Sequence, residues 1–183
     1  MKFPTRKTIR LKNYDYSQNG DYFITICTYN RECLFGEINY GIMLLSTYGK
    51  IVLKHIGILS DLYDTIKIDK YVIMPNHIHM IIRICAKYSV CNPLVKDKTK
   101  MLIPKIIQIF KSSITKEIRM LENWNQNNAR NENNKRNAYN AFPTIWQSHY
   151  YEHIIRTEKS YQKIWQYIDN NISSWEQDKL FTI

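Results

Sequence analysis

Two short stretches of this sequence hold side chains whose types and spacing could do chemistry. In MPNHIHMII, His77 and His79 are two residues apart. Side chains alternate along a strand, so both would project from one face while Ile78 enters the other. Two imidazoles placed in this way form a bidentate platform for a divalent metal. In WQYIDNN, Tyr167 and Asn171 are four apart and share one face of a helix. That sets a phenol and an amide side by side on one helix face.

Neither pattern identifies a site by itself. Five His in 183 residues give a His-x-His pair by chance in roughly one sequence in ten, and the plain alternative is two polar residues on a solvent-facing strand. Tyr88 and Asn92 repeat the second spacing, but they sit in a basic loop just before Pro93, where no helix aligns them. For Tyr167 the alternative is a half-buried ring that packs a helix onto a sheet.

The elements that must position these groups are legible in the hydrophobic pattern. YFITICT (22–28) is β-branched and aromatic, as in a buried strand, and a second extended stretch follows the turn-like Tyr29-Asn30-Arg31. From about Ser46 to Tyr63 the apolar residues take a helical period. Ile66 to Met74 and His77 to Ile84 read as a hairpin about Pro75-Asn76, which puts the His pair at the start of its second strand. After a basic loop (85–101), Pro104 suits the first turn of a helix running to about Leu121. Ile103, Ile106, Ile107, Phe110, Ile114, Ile118 and Leu121 form its apolar face, and Lys105, Lys111, Lys116 and Arg119 decorate it.

The Asn-rich segment NWNQNNARNENNKRNAYN (123–140) lacks apolar periodicity and reads as a flexible insertion within one domain spanning 1–183. A last helix, capped by Thr157, runs towards Asn171. The order strand, strand, helix, two strands, helix, loop, helix predicts an α+β fold, an antiparallel sheet with helices packed on it, of ferredoxin-like type.

Composition narrows the partner. Lys and Arg number 26 against 16 Asp and Glu, a formal charge of +10, which attracts polyanions and makes binding salt-dependent. A coding sequence rich in A·T would also enrich Lys, Asn, Ile and Tyr, so charge alone leaves both explanations standing. With 44% hydrophobic residues the chain is not wholesale disordered, and no uncharged apolar run reaches the roughly 18 residues a membrane span needs. The start, MKFPTRKTIRLK, lacks the apolar core of a secretory signal. Cys27, Cys33, Cys85 and Cys91 form no Cys-x-x-Cys pair and read as reduced thiols of a cytoplasmic protein. No P-loop or dinucleotide glycine fingerprint is present.

In order along the chain, YFITICT, LFGEI, YVIMPNHIHMII, the Phe110-Lys111-Ser112 helix, IWQSHYYEHIIR and a closing YIDNN helix resemble the REP-associated tyrosine transposases. These lie within the single-tyrosine HUH transposase superfamily, HUH denoting His-hydrophobic-His. The resemblance runs from about Tyr22 to Leu180 and rests on the ordered set. It implies that His77 and His79 bind Mg²⁺ or Mn²⁺, that Asn171 is the nearby polar ligand and that Tyr167 is the nucleophile. It also implies a single-stranded DNA partner, of hairpin or palindromic form, and leaves monomer and homodimer both open. Many close relatives have Pro where Ile172 stands, so the helix end is where this chain departs.

The reaction implied is a transesterification in which the phenolic oxygen displaces a 3′-hydroxyl and leaves a 5′-phosphotyrosine. Reversal rejoins strands without ATP. Because free tyrosine has a pKa of about 10, a metal must stabilise the charge that develops. Lys111, Trp146, His153 and Arg156 are the candidate DNA contacts, Trp146 by stacking on bases or, alternatively, buried in the core. Tyr150, Tyr151 and Tyr161 compete as nucleophiles. The rival function is a basic nucleic-acid-binding module without catalysis; a His-x-His metallo-hydrolase is weakened by the lack of a following Asp-His pair.

Overall fold

The apolar residues at every second position of GDYFITIC, namely Tyr22, Ile24 and Ile26, are fully buried on one face of a strand, β1 (Gly20–Cys27). The computed structural model describes residues 14–85, 101–129 and 144–181, with backbone alone for 123–129. After β1 come β2 (Gly36–Asn39), β3 (Ile42–Leu45), α1 (Thr47–Leu62), β4 (Ile66–Met74), β5 (His77–Ile84), α2 (Leu102–Ala129), β6 (Tyr151–Ile155) and α3 (Glu158–Asn170). Four strands make one antiparallel sheet in the order β4-β5-β1-β6. With the separate β2–β3 hairpin set aside, the chain runs βαββαβ with its first and third sheet strands central. This is the ferredoxin-like arrangement that the element order predicts.

Helices α1 and α2 cover one face of the sheet. Ile103, Ile106, Ile107, Phe110, Ile114 and Ile118 of α2 meet Ile51, Val52, Ile56 and Leu59 of α1 above Ile24, Ile78, Met80 and Ile82. Each such side chain contributes about 1.5–3 kcal/mol by leaving water, so this layer is the main stabiliser. Ser46 caps α1 by accepting from Gly49 N–H, and its hydroxyl donates to Leu34 C=O. Gly49 is required there, because a Cβ would lie 2.1 Å from Phe35 O.

The opposite face holds a smaller apolar cluster, Val72, Met74, Ile81, Ile155, Ile168 and Trp175, and polar ties dock α3 against it. Tyr161 donates to Asp69 at 3.0 Å. Arg83 pairs with Asp21 at 2.6 Å and with Asp69 at 2.9 Å. Lys70 pairs with Asp169 and lies over the Trp165 ring. These contacts aim one face of α3 at the middle of the sheet.

Three elements differ from the pattern-based reading. Between the Asn-rich segment and the last helix, where the element order has no strand, YEHII is a five-residue edge strand, β6, paired with β1. Residues 42–45 form β3, closing a hairpin on β2 through Tyr40 and Gly41, both at positive φ (52° and 74°), the conformation of a tight two-residue turn. Helix α2 continues to Ala129, into the Asn-rich stretch expected to be loop, since no Gly or Pro interrupts it. The remainder of that stretch, 130–140, lies outside the described residues, as do Cys91 and the Tyr88/Asn92 pair. Among the described residues Cys27, Cys33 and Cys85 form no disulfide, and no helix is long and apolar enough to cross a membrane.

Candidate active site

His77 opens β5 immediately after the Pro75–Asn76 turn, opposite Cys27 of β1, and His79 stands opposite Thr25. Alternation puts both imidazoles on the α3 face of the sheet, and they are 0% and 2% exposed. Asn76 defines the proton on His77. Its amide nitrogen donates to Arg31 C=O (3.2 Å) and Leu180 C=O (2.7 Å), leaving Oδ1 to accept from His77 Nδ1 at 2.8 Å. His77 therefore carries its proton on Nδ1, and the bare Nε2 is buried without a hydrogen-bond partner. His79 has Nδ1 at 2.8 Å from the Thr25 hydroxyl and Nε2 at 3.1 Å from the Tyr167 phenol.

Helix α3 delivers the phenol. Thr157 caps it by accepting from Ser160 N–H, and Tyr167 and Asn171 reach the site one turn apart, Asn171 at the helix C-cap. The Tyr167 ring is 43% exposed and meets Phe23 edge-on, while Phe23 stacks on His79. Asn171 is buried; its Nδ2 donates to Asp178 Oδ2 at 3.1 Å and its Oδ1 has no hydrogen-bond partner. Asp178 follows a 3-10 turn, Trp175–Gln177, and Tyr167 donates to the same Oδ2 at 3.2 Å. One donor atom each from His77, His79 and Asp178 lies within 4.8 Å of the others.

Burial, partly opposed by the Asp178 carboxylate, pushes the His77 imidazole down to about 4. Burial and then the neighbouring His77 hold His79 well below its ordinary value. Both rings are thus neutral at pH 7, the state in which imidazole is a ligand. Burial and then the Asp178 charge push Tyr167 up to about 12. Two bare or bare-able imidazole nitrogens, a carboxylate oxygen and an amide oxygen converge, a donor set suited to a divalent cation. An unpaired buried polar atom costs about 1–3 kcal/mol, and a cation would satisfy both His77 Nε2 and Asn171 Oδ1.

His77, His79, Tyr167 and Asn171, singled out by spacing, are brought together. Of the competing tyrosines, Tyr161 is bonded to Asp69 and Tyr150 packs against the larger core, while Tyr151 lies opposite Thr25 on the edge strand β6, on the site's face of the sheet but two strands from the His pair. His153 lies opposite Phe23, hence on the site's face of the sheet, and is exposed, as is Arg156. Lys111 and Trp146 are engaged differently from the DNA contacts expected of them. The Lys111 ammonium donates to Gln147 C=O (2.8 Å) and His149 C=O (3.1 Å), and burial pushes it down to about 8. Trp146 is 7% exposed, packs against Phe35 and Phe110 and donates to Lys111 C=O, so its faces are not open to a base. Spacing did not disclose Asp178, Thr25 or Asn76; only Asn76, inside MPNHIHMII, lay next to a visible signal.

No family model matches the chain. An uncharacterised protein of Haemophilus influenzae is 38% identical over 185 residues, covering 96% of this chain and 93% of that protein. Among solved structures, a REP-associated tyrosine transposase bound to a REP hairpin superposes with a TM-score of 0.56 at 16% identity, over 90% of this chain and 73% of that one. A Deinococcus radiodurans protein provisionally assigned as a transposase gives 0.43 at 14% identity, over 88% and 97%, a score too low to argue from.

Proposed function

Of a chain that belongs to one family with the Haemophilus influenzae protein and has the fold of a REP-associated tyrosine transposase, we propose that it is a metal-dependent enzyme that cleaves and rejoins single-stranded DNA through a bond to Tyr167. The observation that carries this reading is the Tyr167 hydroxyl, 3.1 Å from His79 Nε2 and 3.2 Å from Asp178, at the mouth of the His77–His79–Asp178 cluster.

His77, His79 and Asp178, with Asn171 Oδ1, would hold Mg²⁺ or Mn²⁺. When bound, the ion supplies Lewis-acid stabilisation of charge on the phosphate oxygens. The half-exposed phenol of Tyr167 is accessible to a strand laid across α3, and Phe23 fixes its ring. Its oxygen forms a bond to phosphorus as the P–O3′ bond breaks. The phenolic proton passes to the Asp178 carboxylate, with which it is already hydrogen-bonded, and the departing 3′-oxygen takes a proton from water. The 5′-phosphotyrosine keeps the bond energy, so attack by a 3′-hydroxyl reverses the step. His153 and Arg156 flank the path as hydrogen-bond donors for backbone phosphates, within a chain of net charge +10. By analogy with the neighbour's REP hairpin, the substrate is a palindromic, hairpin-forming strand.

Labelled single-stranded hairpin DNA incubated with the protein and Mg²⁺ or Mn²⁺ should give a protein–DNA adduct that survives denaturation, and Tyr167→Phe should abolish it. An adduct formed equally by Tyr167→Phe removes the nucleophile assignment. Salt-sensitive binding with no adduct in either metal favours a non-catalytic binding module instead.

A further inference from the structure

Asn76 is fully buried, and its side chain touches three separate stretches of chain. Its Oδ1 accepts from His77 Nδ1, and its Nδ2 donates to Arg31 C=O in the turn after β1 and to Leu180 C=O, 104 residues away. Leu180 is gripped from the other side as well, since its N–H donates to Asp178 Oδ1 at 2.7 Å. The second oxygen of Asp178 faces Tyr167 and Asn171. The direction of that carboxylate is thus set through Leu180, whose carbonyl Asn76 holds.

We propose that Asn76 is a positioning residue that joins the two halves of the metal-binding set. One amide fixes the His77 tautomer with Nε2 bare and, through Leu180, fixes the carboxylate of Asp178 opposite it. The inference rests on the reading of His77 and Asp178 as ligands. Its physical basis is that an imidazole presents a lone pair from one nitrogen only if the other carries the proton, and a hydrogen-bond acceptor selects which. Asn76 is suited to both tasks because its amide has an acceptor end and a donor end pointing opposite ways. An aspartate would keep the acceptor for His77 but set a carboxylate against the carbonyls of Arg31 and Leu180. The turn itself has separate support: Asn76 C=O accepts from Thr28 N–H and from the Thr28 hydroxyl, both at 2.9 Å, so side-chain variants retain the hairpin.

The test compares wild type, Asn76→Ala and Asn76→Asp. Imidazole tautomers are read in the metal-free protein by long-range proton–nitrogen correlation at neutral pH, with His77→Gln to assign the signal. Affinity for Mn²⁺ alone is read by electron paramagnetic resonance. Wild type should show His77 protonated on Nδ1. Asn76→Ala should lose that preference and bind Mn²⁺ roughly 100-fold more weakly, the upper end for loss of such a support. Asn76→Asp should keep the tautomer and still bind Mn²⁺ more weakly, because Leu180 is released. An unchanged tautomer in Asn76→Ala, with Mn²⁺ affinity within twofold of wild type, overturns the proposal for Asn76 and leaves the metal reading intact. Failure of wild type to bind Mn²⁺ overturns the metal reading itself, and with it the ligand half of this inference.

Discussion

The phenolic oxygen of Tyr167 lies 3.1 Å from Nε2 of His79, 88 residues earlier in the chain. On the other side of that ring, Thr25 engages Nδ1, so the imidazole is held between a strand neighbour and a helix side chain. The contact links the Tyr167 phenol to the centre of the sheet and places it beside the Asp178 carboxylate.

Asp178 should therefore control the ionisation of Tyr167. In the metal-free protein its negative charge disfavours phenolate and, after burial, is the next cause of a phenol pushed up to about 12. Asp178→Asn removes that charge, so the Tyr167 pKa should fall towards the ordinary value of about 10, as read by NMR of ring-labelled tyrosine against a Tyr167→Phe reference. The same variant should bind Mn²⁺ more weakly. A pKa that stays or rises in Asp178→Asn contradicts the electrostatic assignment.

The His pair predicts acid sensitivity. Folding depresses the His77 pKa from 6.5 to about 4 and lowers that of His79 further than its ordinary value, so below about pH 6.5 the unfolded chain binds protons that the folded chain does not. Stability then falls as pH drops from 6.5 towards 4, by up to about 1.4 kcal/mol per pH unit for His77. Urea unfolding of the metal-free protein at pH 7 and pH 5 should show this loss, and it should be smaller in His77→Gln. Equal losses in the two proteins would place the acid sensitivity in other groups.

The parts of the site legible beforehand were those imposed by a repeating backbone. Strand alternation set His77 and His79 on one face, and a helical turn aligned Tyr167 with Asn171, because each period acts within a few residues. Asp178 escaped because its place depends on a 3-10 turn after α3 and on bonds to Leu180, Asn171 and Tyr167, none of which leaves a spacing in the sequence. β6 escaped for a related reason: Tyr151, Glu152 and His153 are polar or amphipathic, and as an edge strand it needs one apolar flank rather than a continuous run. The bonds of Lys111 were not legible because an ammonium on an amphipathic helix ordinarily faces water; here two backbone carbonyls outside any regular ladder claim it.

Lys111 and Arg156 should separate stability from DNA binding. Lys111 holds the chain between Trp146 and β6 by bonding the carbonyls of Gln147 and His149. Lys111→Met keeps the aliphatic stem but leaves those carbonyls without this donor, which should cost about 1–3 kcal/mol in urea unfolding. Its effect on DNA should be small, because an ammonium already bonded to two backbone carbonyls has little to offer a phosphate. Arg156 is exposed next to β6, and Arg156→Ala should leave stability within about 0.5 kcal/mol. It should nevertheless weaken binding to single-stranded DNA and reduce the slope of log affinity against log salt by about 0.7, the share of one phosphate contact. Fluorescence anisotropy across a salt series measures that slope. If Lys111→Met flattens the slope and Arg156→Ala does not, the DNA path runs over α2 instead of along β6 and the face of α3.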